Sequence, residues 1–143
     1  MDDKQIATAV PGWFRPLAGL ALLWQAFGCY MYLTQIGADP AGLPLDQRAM
    51  WDATPSWMIA AYAVAVWVGL VGAGLLLLRR RLAVPLLLIS VIAVVVQFSG
   101  LLLVPALRQI TPSDALAMPI IIFVVAYGIY HLATLARKRG WLR

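Results

Sequence analysis

The sequence predicts an all-α integral membrane protein, an antiparallel bundle of four transmembrane helices with both termini in the cytoplasm. Of its 143 residues, 63% are hydrophobic and only 12% are charged, whereas soluble domains average roughly 45–50% and about 25%. Four apolar segments each reach about 20 residues, the length at which a helix crosses a ~30 Å hydrocarbon core. Nine of the 11 lysines and arginines fall on one side of the predicted bundle.

The four spans are apolar runs with marked ends, within a single membrane domain. They cover residues 16–36, 55–78, 82–104 and 118–136. Pro16 suits the first turn of a helix, where its missing N–H costs nothing, and Pro105 closes the third span. Barrel strands would alternate in polarity over about ten residues, and the run 86–96 does not alternate. Helices are therefore predicted throughout.

The connections between the spans differ in length. Arg79, Arg80 and Arg81 alone link spans two and three, which forces a tight antiparallel hairpin. The longer loops, 37–54 and 105–117, lie at the opposite end of the bundle. A short helix is expected over 44–53, lying on the membrane surface. Thr111 and Asp114 have the spacing of a capping box, so the fourth helix is expected to start near them and to bend at Pro119.

The distribution of charge predicts the orientation. Nine basic residues share the side of the termini and the short turn: Lys4, Arg15, Arg79, Arg80, Arg81, Arg137, Lys138, Arg139 and Arg143. Arg48 and Arg108 lie on the other side. The positive-inside rule puts the nine, and with them the tail 137–143, in the cytoplasm. There they are expected to contact anionic head groups, which accounts for the net charge of +5 without a nucleic acid. Trp13, Trp57 and Trp141 are expected at the membrane interfaces.

The composition excludes several kinds of chemistry. Cys29 is the single cysteine, His131 is the single histidine, and glutamate is absent. The six aspartates all lie outside the apolar runs, so no carboxylate is predicted at membrane depth, where proton-coupled transporters usually carry one. No nucleophile–base pair and no set of metal ligands is present in the pattern. We therefore expect no enzymatic activity and no cofactor.

A few polar side chains share faces of the predicted spans. They are Gln25 and Tyr32 on span one, Ser90 and Gln97 on span three, and Tyr127, Tyr130 and His131 on span four. Because unpaired polar groups are costly in hydrocarbon, these faces are expected to point inward. They could form a cleft for a small neutral solute or a lipid head group, with His131 as a pH switch. Ordinary interhelical hydrogen bonding, worth about 0.6 kcal/mol each, is the favoured alternative.

Span two carries a stripe of small residues at intervals of four. It consists of Ala61, Ala65, Gly69 and Ala73. Such stripes let helix backbones approach closely in lipid. The stripe could be the seam of a homodimer or the contact with another membrane protein. Packing within the four-helix bundle is the favoured alternative.

One stretch of the chain resembles a known group of proteins. The segments 54–57, 60–67 and 69–85, together with Trp24-Gln25, resemble short four-span bacterial inner-membrane proteins. Members of that group are uncharacterised or carry the label "sugar transporter". The resemblance covers spans one to three and implies a multi-pass protein of the bacterial inner membrane. It brings no catalytic residue with it.

Two functional hypotheses follow from the sequence. The first is a non-catalytic accessory protein or assembly partner of a membrane complex. The alternative is an oligomeric transporter of a small neutral solute such as a sugar, because four spans alone enclose little volume. A membrane enzyme is disfavoured, since the spans hold no carboxylate.

Overall fold

A computed structural model describes residues 9–143, and this part of the chain is helical without any strand. Its α-helices are α1 (Phe14–Ile36), α2 (Leu45–Ala53), α3 (Ser56–Leu77), α4 (Ala83–Leu103), α5 (Pro105–Ile110) and α6 (Ala117–Lys138). Short 3₁₀ turns cover Pro40–Gly42 and Ser113–Leu116. Four helices, α1, α3, α4 and α6, are long and apolar enough to cross a membrane. The all-helical class and the number of candidate spans are confirmed; Lys4 lies outside the described residues.

The helix bounds agree with the predicted spans to within about two residues. The short helix expected over 44–53 is α2, at Leu45–Ala53. The capping box is wrong, because Thr111 ends α5 and its buried hydroxyl has no hydrogen-bond partner within residues 9–143. Pro119 lies in the first turn of α6, where a missing N–H breaks no helical hydrogen bond. The predicted bend is therefore not required, and α6 is assigned as one helix.

The helices pack in the order α1–α3–α4–α6. The closest packing is between α3 and α4, followed by α1 on α3 and α4 on α6. We call the end with the Arg79–Arg81 turn the basic end, and the end with α2 and α5 the loop end. A core cluster at the basic end draws buried residues from all four long helices. A second cluster, toward the loop end, contains buried residues of α3, α4 and α6 but none of α1.

Two helices end in the same way at the basic end. After α6, the N–H of Trp141 donates to the carbonyl of Ala136 at 2.9 Å, and Gly140 between them has φ 75°. After α3, the N–H of Arg80 donates to the carbonyl of Leu75 at 2.8 Å. Both are Schellman motifs, in which a left-handed residue reverses the chain at a helix end.

The two reversed chain segments meet as a short backbone pairing. The N–H of Arg81 donates to the carbonyl of Arg143 at 2.8 Å, and the N–H of Arg143 donates to the carbonyl of Arg79 at 2.6 Å. The guanidinium Nε of Arg79 also donates to the carbonyl of Trp141 at 2.8 Å. The tail is thus fixed to the three-arginine turn by backbone and side-chain bonds.

Trp141 closes the basic end of the bundle. Its side chain is only 5% exposed, and its ring makes edge contacts with Trp13 and Phe14 at centroid distances of 5.7 and 5.6 Å. Trp141 is therefore covered by the chain itself, because the Schellman turn folds the tail back over the core. Trp13 and Trp57 are 51% and 42% exposed, and the interfacial position of all three tryptophans stays a prediction.

We predict that Trp141→Ala destabilises the protein far more than Trp57→Ala does. Truncating a buried tryptophan typically costs about 3–5 kcal/mol, whereas Trp57 is 42% exposed. Thermal unfolding of both variants in one detergent measures the difference. Equal melting temperatures for the two variants would show that the tail does not cover the core.

Candidate binding cavity

A cavity of about 320 Å³ lies between α1, α3, α4 and α6. It extends from the middle of the bundle toward the loop end. Its polar lining consists of Gln25, Gln35, Tyr62, Ser90 and Gln97. The rest of the lining is apolar or aromatic and includes Trp24, Phe27, Met31, Phe98 and Met118. No charged residue of the described chain lines the cavity, so it suits an uncharged occupant.

Gln25 is a buried polar residue of the cavity lining. It is the twelfth residue of the 23-residue helix α1 and is only 6% exposed. Within residues 9–143 its side-chain amide makes no hydrogen bond. The amide atoms keep some accessible surface, since Thr111 Oγ1 is the one fully buried side-chain polar atom without a partner within residues 9–143. An amide that lines a cavity without a protein partner is available to a ligand or to water.

Gly69 of α3 makes room for this amide. A Cβ added at Gly69 would lie 2.6 Å from Oε1 and 2.8 Å from Nε2 of Gln25. Real Cβ contacts are essentially never that short, so the amide rests directly on the α3 backbone. Glycine at this position thus determines where the Gln25 side chain lies.

Two side-chain hydrogen bonds fix the helices around the cavity. The Ser90 hydroxyl donates to the carbonyl of Ala65 at 2.6 Å, which ties α4 to α3. The Cys29 thiol donates to the carbonyl of Val66 at 3.3 Å, which ties α1 to α3. For Ser90, interhelical hydrogen bonding, the favoured alternative, is confirmed, although its oxygen can still accept a bond from a ligand.

The other polar residues expected inside lie at different distances from the cavity. Gln97 is half-buried and lines it. Tyr32 is half-buried beside it, with its ring 5.3 Å from that of Tyr62 in an edge contact. Tyr130 is half-buried and packs on both core clusters. These three residues lie within the bundle or at its edge, although only Gln97 borders the cavity.

Tyr127 and His131 correct the prediction, because both lie on the outer surface of the chain. Tyr127 is 51% exposed, and its ring stacks on His131 at a centroid distance of 6.3 Å. The α6 face that enters the bundle carries Ala126, Ile129 and Ala133 instead. Small and aliphatic side chains allow α6 to approach α4 closely, which outweighs the burial of the aromatic face. No part of the cavity lining comes from His131.

Most of the apolar lining was not identified from the sequence, and neither were three lining residues that can form hydrogen bonds: Trp24, Gln35 and Tyr62. Gln35 lies close to the face of α1 that carries Gln25 and Tyr32, and following that face to the end of the helix would have found it. Trp24 and Tyr62 looked like ordinary aromatic residues of membrane helices. Their position depends on how the helices pack, which the sequence pattern does not give.

The small-residue stripe of α3 is used inside the chain. Ala65 is 3% exposed, Ala73 is fully buried, Gly69 is buried beneath Gln25, and Ala61 is half-buried. Most of this stripe is therefore covered by other helices of the same chain, as the favoured alternative of packing within the bundle expects. A homodimer or partner seam on the stripe stays a prediction.

An apolar groove of about 490 Å³ continues from the cavity between α1 and α6. Leu17, Leu20, Ala21 and Trp24 line one side, and Val125, Gly128, Ile129 and Leu132 line the other. Trp24 borders both the groove and the cavity. The cavity and the apolar groove are therefore neighbours, and the side chain of Trp24 lies between them.

Comparison with known proteins adds no relative. No protein-family model, curated protein or solved structure matches the chain. The described residues also contain no group of three or more His, Cys, Asp or Glu that could hold a metal ion. The cavity is thus the feature from which a function can be argued.

We predict that Ala65→Leu destabilises the fold, whereas Ala60→Leu on the same helix does not. Ala65 is 3% exposed between α3 and α4, while Ala60 is exposed. Overpacking a closed contact typically costs about 1–3 kcal/mol. Melting temperatures of the purified variants measure the effect. If Ala65→Leu melts like the wild type, α3 and α4 do not pack through this position.

Proposed function

We propose that this is a non-catalytic, multi-pass protein of the bacterial inner membrane that binds a small uncharged molecule in its cavity. The observation that supports this most strongly is Gln25, a residue only 6% exposed whose amide has no hydrogen-bond partner in the described chain and lines a cavity without charges. Ligand pockets are typically apolar with a few convergent polar groups. This cavity has that composition.

The lining determines the chemical class of the ligand. Gln25, Gln35 and Gln97 present amides, each of which both donates and accepts hydrogen bonds. Such groups suit hydroxyl or carbonyl groups rather than ions, since a charge in an apolar site requires an opposite charge. The volume of about 320 Å³ is near the lower limit of ligand pockets. A neutral molecule with a polar part and an apolar part fits best.

The distribution of basic residues supports an orientation of the cavity in the membrane. We place the basic end in the cytoplasm, with both termini, because nine of 11 basic residues lie there. The cavity extends toward the loop end, which then faces the outer side of the membrane. The ligand would reach the cavity from that side or through the apolar groove between α1 and α6.

The proposal extends to transport of the bound molecule across the membrane. The core cluster at the basic end brings together residues of all four long helices. Passage to the other side would require this cluster to open, or a second copy of the chain to complete the path. The accessory or assembly role stays a prediction, and the α3 stripe does not support it because the stripe is covered within the chain.

We predict that Gln25→Leu weakens binding of a neutral amphiphile, while Gln109→Leu does not. Octyl glucoside is a suitable probe because it joins an uncharged polar head to an apolar chain. Equilibrium binding of the radiolabelled compound, below its micelle concentration, is measured with the protein in lipid nanodiscs. Gln109 is exposed in α5, away from the cavity. Loss of about 1–3 kcal/mol for an unmade buried hydrogen bond corresponds to roughly 5- to 150-fold weaker binding.

Gly69→Ala tests the same site without changing a lining residue. The added methyl would collide with the Gln25 amide, which is the flexible end of a side chain and can move. We expect weaker probe binding in a protein that still folds. Gly19→Ala is the matched control, since nothing lies within 4 Å of a Cβ there. Equal binding by wild type, Gln25→Leu and Gly69→Ala would refute the proposed site.

We also predict that His131→Ala leaves probe binding unchanged, and that binding does not depend on pH between 5.5 and 8. His131 lies on the exposed face of α6 and does not line the cavity. The same nanodisc assay, repeated across this range, checks the prediction. A pH-dependent affinity that disappears in His131→Ala would support His131 as a pH switch.

Flux of radiolabelled glucose from proteoliposomes then separates transport from binding alone.

A further inference from the structure

A second pocket, of about 330 Å³, lies at the basic end of the bundle, away from the cavity. Arg15, Arg79, Arg80 and Arg143 line it, together with Leu77 and Leu78. The arginines come from three separate parts of the chain: the start of α1, the α3–α4 turn and the tail. The fold therefore brings together four arginines from three parts of the chain that are far apart in the sequence.

The pocket has no acidic residue in its lining. Among residues 9–143 the aspartates are Asp39, Asp46, Asp52 and Asp114, and all of them belong to the loop end. Positive charges held close together at the end of the bundle repel one another. An anion in the pocket would relieve the repulsion.

The backbone holds this arrangement in place. Arg79 has a left-handed backbone with φ 60° and is fixed through its Nε to the tail. The backbone of Arg143 pairs with the turn at both its N–H and its carbonyl. By contrast, the side chains of Arg15, Arg80 and Arg143 donate no hydrogen bond within residues 9–143, where Arg79 and Arg81 are the arginines whose side chains do. Three of the four guanidinium groups of the pocket thus have all their donors available to a ligand.

We propose that this pocket is a specific site for the phosphate group of an anionic phospholipid. Guanidinium groups match phosphate oxygens in geometry and bind them with paired, charge-assisted hydrogen bonds. Leu77 and Leu78 add an apolar wall, and Leu78 is 68% exposed. Arginines beside exposed leucine, at the ends of helices long enough to span a membrane, match a molecule with a phosphate head and an acyl chain. Free phosphate has the same charge chemistry but no use for the leucine wall.

The site can be tested by lipid retention. The protein is placed in nanodiscs of equal parts phosphatidylglycerol and phosphatidylcholine, released gently, and its bound lipid is counted by native mass spectrometry. The variant Arg15→Gln/Arg80→Gln removes two of the guanidinium groups that make no hydrogen bond within residues 9–143. The control Arg137→Gln/Lys138→Gln removes the same charge from exposed positions at the same end, outside the pocket. Melting temperatures confirm that both variants fold.

We expect wild type and control to retain phosphatidylglycerol in preference to phosphatidylcholine. In the pocket variant we expect this preference to fall about tenfold, because charge-assisted hydrogen bonds to the phosphate are lost. An equal loss of this preference in both variants would show that general surface charge, and not the pocket, retains the lipid. That result would overturn the proposal. Displacement of the lipid by millimolar inorganic phosphate would assign the pocket to free phosphate and overturn the lipid assignment. This outcome is separate from octyl glucoside binding, so failure of either site leaves the other intact.

Discussion

The close approach of α3 to its two neighbours is the constraint on which the rest of the structure depends. Gly69 lies directly beneath the amide of Gln25, and a Cβ at Gly72 would lie 3.0 Å from the Leu87 side chain of α4. In an apolar surrounding, helices associate through such packing and through interhelical hydrogen bonds rather than through the hydrophobic effect. The small residues of α3 therefore make it the centre of the bundle, with α1 and α4 on its sides.

The cavity is a consequence of this arrangement. α1 is held by α3, and α6 is held by α4, so the two outer helices meet only where a common core joins them at the basic end. Toward the loop end no buried residue of α1 enters the second core cluster. The space left there is bordered by glutamines and aromatic rings. A cavity with a few polar groups in an apolar lining thus arises in the bundle, and the common core closes it on the basic side.

The sequence was most informative where a single physical quantity decides the outcome. The thickness of the hydrocarbon core fixes the length of an apolar helix, and the span bounds were accurate for that reason. The burial of Gln25 and Ser90 was also predicted, because both are polar within otherwise apolar runs. Tyr127 and His131 failed because two effects compete on α6. The polarity of Tyr127 and His131 favours turning their face of α6 toward the bundle, but close helix packing favours the face with Ala126 and Ala133. The sequence pattern does not show which of these effects is larger.

The contact between Phe14 and Trp141 has a consequence for the order in which the molecule is assembled. It joins the first turn of α1 to a residue made only after α6 has been synthesised. During translation α1 therefore enters the bilayer long before the ring that covers its first turn exists. The α3–α4 hairpin, with its short connection, can form early, whereas the basic end stays open until residues 139–143 have been made. A nascent chain that stalls before Trp141 would leave Phe14 uncovered.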